Sequence, residues 1–272
     1  MASKESLAAS IPGLSPAARK MLEIAADAEA SVAAIANALE EDKSMADRLL
    51  LIANSPLFRP VSPLRDIRGA IARLGVRSSV ELALAVAILN ASGGRMPLPA
   101  LNVRKQSVAI GAISRIVGYE YGEQGGDNTF LSGVVHDIGL VTLVRNKTVD
   151  YRANKPETHD DGLCALEKDA IGYSHADLAG AVLKKWNVGS DIMALATEHH
   201  DVDATHANPV AHELLRVADT IEHGVAAGKP TNEILEATER TAKSDSVPPG
   251  RLNVLWPRIM EARQSMQAAA VA

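Results

Sequence analysis

Amphipathic helical spacing recurs along the whole chain of 272 residues, and this feature most limits the possible folds. From Ile67 to Leu74, for example, apolar residues take the i, i+3, i+4 and i+7 positions of one helical face, and Gly75 follows as a helix stop. The alternation of apolar and polar residues that marks a half-buried strand never persists beyond a few residues. Aromatic residues make up only 3% of the chain, which favours helix over sheet. The sequence therefore predicts an all-α fold.

Capping residues mark where several of these helices begin. Side chains of Ser, Thr, Asp and Asn accept hydrogen bonds from the free N–H groups of a first helical turn, and an acidic residue three positions later strengthens the signal. Helix starts are therefore predicted at Ser31, at Ser44 with Asp47, at Ser78 with Glu81, at Ser174 and at Ser190. The apolar segment Phe130–Val144 is predicted to form one continuous helix.

A short segment rich in Ser, Gly and Pro, Ala91–Pro99, is the best candidate for a boundary between two lobes. The sequence thus predicts a two-lobed helical bundle. It has an N-terminal lobe over residues 1–95, a second lobe over residues 100–225 and a C-terminal helical extension over residues 226–272. The apolar stretch Leu252–Met260 of the extension has two interpretations: packing on its own domain, which is favoured, or docking of a partner.

Charge and cysteine content argue against several classes of protein. The net charge is −5 and the pI is about 5.9. We expect no DNA partner, because nucleic-acid binding depends on clustered Lys and Arg. The single cysteine, Cys164, excludes an intramolecular disulfide and fits a reducing compartment. Neither a signal peptide nor a run of about twenty apolar residues occurs, so we expect a cytoplasmic protein without membrane insertion.

Histidine and aspartate residues in the second half of the chain are suited to holding a divalent metal ion. Imidazole nitrogen and carboxylate oxygen bind ions such as Mn, Fe, Ni, Co or Zn. Ligands brought from several helices into one bundle are a common way to build such a site. Gly133 and Gly139 flank the His-Asp pair, where they would let other helices approach closely. The candidate ligands are His136, Asp137, His175, His199, His200 and Asp219.

Each of these residues also has a structural interpretation that needs no metal. His199 and His200 end a predicted helix, where a cation interacts favourably with the helix dipole. On this interpretation His175, which follows a capping Ser, is simply exposed in a first turn. Asp219 lies in an otherwise apolar helix and needs a partner if it is buried, and His223 one turn later would serve. The ordered combination of these residues is a stronger signal than any one of them.

Short motifs follow one another in a characteristic order. In the second half they are Gly133–Gly139, Gly172–Asp177, Trp186 and Glu198–His200. In the first half they are Ile11–Leu14, Ala17–Arg19, Leu49–Ser55 and Ala70–Gly75. In this combination the motifs resemble the HDOD domain family, a group of bacterial signalling domains related to the HD metal phosphohydrolases that has usually lost the enzyme's activity. The resemblance covers most of the chain, about residues 10–225, and the first-half motifs distinguish HDOD domains from ordinary HD enzymes.

The resemblance implies an HD-like second lobe with a site for a divalent metal ion, which would be Fe, Mn, Ni, Zn or Mg. The family's ligand positions fall on His136, Asp137, His175, His199, His200 and Asp219. In HD hydrolases an upstream His completes the primary metal site, and Gln106 occupies its place in this chain. Because a neutral amide is only a weak oxygen ligand, metal affinity is expected to fall. The site is then either vestigial and held by hydrogen bonds, or weakened and still able to bind a single ion.

The resemblance also implies a role in bacterial signal transduction. The substitution at Gln106 favours a stand-alone, non-catalytic regulatory protein that acts through contacts with signalling proteins whose identity the sequence does not give. The alternative is a metal-dependent phosphohydrolase that acts on a nucleotide or a cyclic dinucleotide. The six retained ligand positions support the alternative, and Gln106 opposes it.

Overall fold

The computed structural model describes residues 3–27, 30–92, 96–120, 128–151, 161–201, 203, 206, 208–242 and 250–270. All regular secondary structure in these ranges is helical, so the predicted all-α class is confirmed. The helices are α1 (Lys4–Ser10), α2 (Pro16–Ala25), α3 (Val32–Glu40), α4 (Lys43–Ala53), α5 (Ile67–Leu74), α6 (Val76–Ala91), α7 (Leu98–Glu120), α8 (Thr129–Val135), α9 (Ile138–Asn146), α10 (Asp161–Ile171), α11 (His175–Lys185), α12 (Ser190–Glu198), α13 (Pro209–Ala226), α14 (Thr231–Thr241) and α15 (Arg251–Ala269).

Short polar side chains begin several helices, although not always at the predicted residue. Ser31 and Ser174 cap α3 and α11, as predicted, by accepting a backbone N–H three residues later. The prediction of Ser44 as a cap is wrong, because Asp42 caps α4 and Ser44 lies inside the helix. The prediction for α12 is wrong by one position, because Ser190 is the first helical residue and its side chain makes no capping bond.

Glu81 does not close the capping box predicted with Ser78. Helix α6 begins directly after Gly75, whose φ of 81° ends α5, so Ser78 already lies within the first turn. Glu81 is instead buried, and its Oε1 accepts the backbone N–H groups of Phe130 (2.8 Å) and Leu131 (3.1 Å). The carboxylate of α6 therefore caps the first turn of α8, nearly fifty residues further along the chain.

Helix α7 forms the centre of the fold and packs against α8, α9, α13 and α15. Its residues from Ser107 to Gly118 are all buried. The C-terminal helix α15 lies along α7 and buries Leu255, Ile259 and Met266. The stretch Leu252–Met260 therefore packs on its own chain, which confirms the favoured interpretation of that segment.

One apolar core joins the described helices of both predicted lobes. Helix α6 ends at Ala91 and α7 begins at Leu98, while residues 93–95 lie outside the described part of the chain. The division into lobes at this segment stays a prediction. Among the described helices, none combines the length and the apolar character that crossing a membrane requires.

Two glycines let helices approach each other closely, as the sequence predicts. A Cβ atom at Gly133 would lie 2.4 Å from the Cα of Gly111, where α8 crosses α7. A Cβ atom at Gly139 would lie 1.9 Å from the carbonyl oxygen of His175, where α9 meets α11. No side chain fits at either position, because real Cβ atoms essentially never come within 3.0 Å of such neighbours. These crossings bring the ends of α8, α9 and α11 together.

Candidate metal centre

His136 and Asp137 lie at a break between two helices. Helix α8 ends at Val135 and α9 begins at Ile138, so the predicted continuous helix Phe130–Val144 is wrong. Asp137 has φ −97° and ψ 16°, outside helical geometry. Adjacent side chains on a continuous helix diverge by about 100°. At this break they converge instead, and His136 Nε2 lies 3.3 Å from Asp137 Oδ2.

The Asp137 carboxylate lies at the centre of a cluster of predicted ligands. Its Oδ1 is 3.4 Å from Nε2 of His175, at the start of α11, and 3.9 Å from Nε2 of His199, just after α12. Asp219 of α13 places its Oδ1 3.8 Å from His136 Nε2. Residues from α11, α12 and α13 thus meet the His-Asp pair at one point.

His200 joins the same cluster from its outer side. Its ring packs against that of His199 with centroids 3.9 Å apart, and its Nε2 lies 2.8 Å from His175 Nε2, so one of these two nitrogens donates to the other. The ligand atoms of Cys164, His175 and His200 lie within 4.8 Å of one another. All six predicted residues are therefore neighbours, and Cys164 from α10 is an addition that the sequence analysis did not predict.

The centre of the cluster is closed to solvent. His136 and His175 are each 1% exposed, His199 is 4% exposed and Asp137 is 5% exposed. The interpretation of His175 as an exposed first-turn residue is wrong, because the start of α11 lies against α9 at Gly139. Polar atoms buried to this degree are costly in free energy unless they form hydrogen bonds or bind an ion.

Each buried imidazole is held through Nδ1, which leaves Nε2 directed towards Asp137. Nδ1 of His136 lies 2.7 Å from the carbonyl oxygen of Gly133, and Nδ1 of His199 lies 2.8 Å from that of Ala196. These contacts fix both rings, yet Nε2 of His136 and Nε2 of His199 have no hydrogen-bond partner among the residues that the structure describes. Two buried nitrogens thus face the Asp137 carboxylate, at 3.3 Å from His136 and 3.9 Å from His199, without a hydrogen bond of good geometry in the described part of the chain.

Glu167 holds His175 in the same way, and the sequence analysis missed it. Its Oε2 lies 2.7 Å from His175 Nδ1 and also accepts the His175 backbone N–H at 2.6 Å. Its Oε1 accepts the hydroxyl of Tyr151 at 2.8 Å. Glu167 lies on α10, a helix that was not predicted, and no local motif connects it with His175 eight residues later.

Burial and mutual contact set the charges of the cluster. Burial would raise the pKa of Asp137, but His136, His175 and His199 together outweigh burial and hold that pKa well below its usual value. Burial holds the pKa of His199 well below its usual value, and His200 lowers it further. Burial and then His175 lower the pKa of His200 to about 4. Burial would lower the pKa of His136, but its contact with Asp137 and the charge of Asp219 together outweigh burial and raise that pKa. Near neutral pH an ionised carboxylate therefore faces neutral His199 and His200.

Asp219 has the partner that the sequence predicts for it. Its Oδ1 lies 3.1 Å from Nδ1 of His223, and this contact outweighs burial and lowers the pKa of Asp219. Gln106 is half-buried on α7, one turn before Ile110, whose backbone lies against Gly133 of α8. Position 106 is thus on the α8 side of α7, and its role at the cluster stays a prediction.

A comparison of the sequence with protein families identifies the fold as that of a known domain. The sequence profile of the HDOD domain matches residues 11–202, which is well over half of the chain. The chain belongs to the HDOD domain family. No curated protein sequence matches it.

Solved structures of HDOD-like proteins share the whole architecture. An HDOD domain protein of unknown function from Geobacter sulfurreducens is 20% identical with a TM-score of 0.77, and the match covers 98% of both chains. A candidate phosphohydrolase from Shewanella amazonensis is 18% identical with a TM-score of 0.79, over 97% of this chain and 96% of that one. A candidate signal transduction protein from Marinobacter aquaeolei is 17% identical with a TM-score of 0.72, over 99% of this chain and 61% of that one. At such low identities the likeness concerns the fold alone.

Proposed function

We propose that this HDOD protein is a regulatory signalling protein that binds one divalent metal ion between His136, Asp137 and His199, and that acts through contacts with other proteins rather than by catalysis. The observation that supports metal binding is the pair of buried Nε2 atoms beside the Asp137 carboxylate, which find no hydrogen-bond partner among the described residues. Each buried nitrogen without a hydrogen bond costs about 1–3 kcal/mol. A single cation would satisfy both nitrogens and the carboxylate at once.

The residues present fit a metal ion in spacing and in chemistry. In a tetrahedral site with bonds of about 2.1 Å, the ligand atoms lie about 3.4 Å apart. The distances from His136 Nε2 are 3.3 Å to Asp137 and 3.8 Å to Asp219, and His199 Nε2 lies 3.9 Å from Asp137. Two imidazoles and one or two carboxylates suit Mn, Fe, Co, Ni or Zn. Such an ion would supply Lewis acidity and would tie α8, α12 and α13 together.

Burial of the cluster supports a structural role for the ion rather than catalysis. A hydrolytic metal must admit both water and the substrate's phosphate to its coordination sphere. His136, Asp137 and His199 are at most 5% exposed, so a phosphate would have to displace part of the fold to reach them. Gln106 in place of a ligating His also weakens the case for turnover. The Marinobacter protein with the same fold carries the description of signal transduction, in line with a regulatory role.

A second candidate function is phosphohydrolysis of a nucleotide or a cyclic dinucleotide. The observation in its favour is the second group of ligand atoms, from Cys164, His175 and His200, directly beside the first. Paired metal sites are a common means of activating water and clamping a phosphate. The Shewanella protein with this fold carries the description of phosphohydrolase. Against this function, His175 and His200 already satisfy each other through their Nε2 atoms.

Metal analysis followed by turnover assays separates the two candidates. The full chain is dialysed against Mn, Fe or Zn and its metal content is measured by mass spectrometry, together with the variants Asp137→Asn and His136→Gln. We expect about one ion per chain in the unaltered protein and little in either variant. His212→Gln is the matched control, because His212 bonds the Glu198 carbonyl outside the cluster and its loss should leave metal content unchanged.

The loaded protein is then tested on nucleotide phosphates and cyclic dinucleotides. We expect no turnover. Clear hydrolysis that Asp137→Ala abolishes would make the protein an enzyme and overturn the regulatory proposal. A protein that takes up no metal and keeps its full stability in chelator would overturn metal binding.

A further inference from the structure

A pocket lined by arginines lies apart from the histidine cluster, where the end of α5 and the segment after α4 meet α7 and α15. Its volume is about 160 Å³. Three guanidinium groups line it, from Arg73 of α5, Arg115 of α7 and Arg258 of α15, together with the rings of Phe58 and Tyr119. No acidic side chain is among the described residues that line it. The pocket is therefore strongly positive on its walls.

The acidic groups closest to this pocket are already engaged elsewhere. Glu81 forms a buried ion pair with Arg115, with 3.0 Å between Oε2 and Nη1. Glu261 pairs with Arg59 at 3.4 Å, and Glu120 binds the guanidinium of Arg251. Glu120 also acts on the charge of Arg258, so Arg258 shares this carboxylate with Arg251.

Arg258 shows the clearest sign of a missing partner. The Nε of Arg258 is buried and finds no hydrogen-bond partner within the described ranges. Burial, and then the neighbouring Arg59, hold the pKa of Arg258 below its usual value. A buried N–H without an acceptor costs about 1–3 kcal/mol, and like charges nearby add to that cost. An anion in the pocket would remove both penalties.

Arg115 is fixed at the wall of the pocket by bonds from Nη1 to Glu81 and from Nη2 to Ser78 and Tyr119, so only its remaining N–H groups can take part in binding. Its guanidinium lies 4.7 Å from the ring centroids of both Phe58 and Tyr119, and its Nη2 donates to the Tyr119 hydroxyl at 2.6 Å. Guanidinium groups present paired N–H donors that match the oxygens of phosphate and carboxylate. A group fixed by aromatic rings in this way loses little conformational entropy on binding.

The size of the pocket limits what it can take. A water molecule occupies about 30 Å³ in the liquid, so the pocket holds about five waters, or one tetrahedral oxyanion. Pockets for whole drug-sized ligands are about 300–1,000 Å³. We propose that the pocket binds a phosphoryl group, either as free phosphate or at the end of a small phosphomonoester, between Arg73, Arg115 and Arg258. This inference is independent of the metal ion proposed above.

Calorimetric titration of the full chain tests the proposal. Inorganic phosphate and AMP are titrated separately at constant ionic strength in chloride, both with and without EDTA, so that phosphate binding through a metal ion is recognised. We expect saturable binding that EDTA leaves unchanged. Tighter binding of AMP would identify a phosphomonoester as the ligand type, and equal binding would identify free phosphate; both support the proposal.

Variants of the pocket locate the binding. Arg258→Gln and Arg73→Gln should each weaken phosphate affinity by about tenfold or more, since each removes a charge-assisted contact. Arg73 is exposed, so its replacement leaves the fold intact even if Arg258→Gln proves unstable. Arg68→Gln is the matched control on the same helix, because Arg68 pairs with Glu40 at the surface, and it should bind as the unaltered chain does. Absence of saturable binding, or equal affinity in all four proteins, would overturn the proposal.

Discussion

Replacement of Gly139 with alanine should both destabilise the fold and disturb the histidine cluster. The added Cβ would lie 1.9 Å from the carbonyl oxygen of His175 and 2.7 Å from the backbone nitrogen of Ala179. Both are backbone atoms of α11, so neither can turn away as a flexible side chain would. Ordinary contact begins at 3.4 Å, and the difference between 3.4 and 1.9 Å means that α11 must move by about 1.5 Å.

The expected cost follows from the packing at this point. Overpacking of a close-packed interior typically costs about 1–3 kcal/mol, and a contact between two backbones belongs at the upper end of that range. Alanine returns about 0.5–1 kcal/mol through its better helix propensity. The free energy of unfolding should therefore fall by about 2–2.5 kcal/mol, which lowers Tm by about 4–10 °C in a protein of this size. Because His175 begins α11 and contacts Asp137, metal affinity should fall with it.

Urea unfolding in EDTA measures the stability without any contribution from bound metal. Gly13→Ala is the matched control, because Gly13 is exposed and, apart from its two neighbours in sequence, no described residue places an atom within 4 Å of the position that a Cβ would take there. The control should unfold within about 0.5 kcal/mol of the unaltered protein. If Gly139→Ala proves as stable as Gly13→Ala, the close contact between α9 and α11 is not as the structure describes it.

Three further predictions concern the buried ion pair of Glu81, the orientation of His175 and the reactivity of the Cys164 thiol. Glu81→Gln leaves Arg115 buried without a counter-charge and should lower the free energy of unfolding by about 3–5 kcal/mol in urea; a loss below about 1 kcal/mol would contradict this role. Glu167→Gln releases His175 and should weaken zinc or manganese binding by about 10–100-fold in a calorimetric titration, whereas unchanged affinity would mean that this contact does not orient the cluster. Burial and then Glu167 raise the pKa of Cys164 to about 12, so at pH 8 the folded chain should react with iodoacetamide at least about a hundredfold more slowly than the chain in urea, and equal rates would refute the shift.

The slower reaction expected of Cys164 in the folded chain follows from the protonation of its thiol. The reactive species is the thiolate, which forms as pH rises through the pKa. In the unfolded chain this happens near the ordinary value for cysteine, and in the folded chain it happens only near pH 12. The ratio of the two rates should therefore be largest below about pH 8.5 and should narrow as pH rises further.

The helical class of the fold could be predicted from sequence because helical periodicity and capping are local signals. Ser31 and Ser174 begin helices, and Gly75 ends one, at the positions that the sequence predicts. The break at His136 and Asp137 could not be predicted from sequence, because no Pro marks it, the apolar pattern continues through it, and the side chain of Asp137 makes no capping bond at the start of α9. Glu81 illustrates the same limit, since its local pattern with Ser78 favours a capping box while the folded chain uses the carboxylate to cap α8.

The candidate ligands could be predicted only from their order along the chain, since a lone His-Asp pair or a lone histidine has a structural explanation. The groups that orient these ligands could not be predicted. Glu167 binds His175 only because α10 folds against the start of α11, and the carbonyl groups of Gly133 and Ala196 carry no side-chain signal at all. The arginine pocket was equally hidden, because its three guanidinium groups come from helices far apart in the sequence.

The position of a bound metal ion decides whether His136, Asp137 and His199 form a metal centre. Crystals of the full chain grown with Mn or Zn, with diffraction recorded at the absorption edge of that metal, give an anomalous difference map. We predict a single strong peak bonded to Nε2 of His136, Nε2 of His199 and the Asp137 carboxylate. A map without a peak at these three groups, from protein in which the cluster is ordered, would contradict the proposed metal centre.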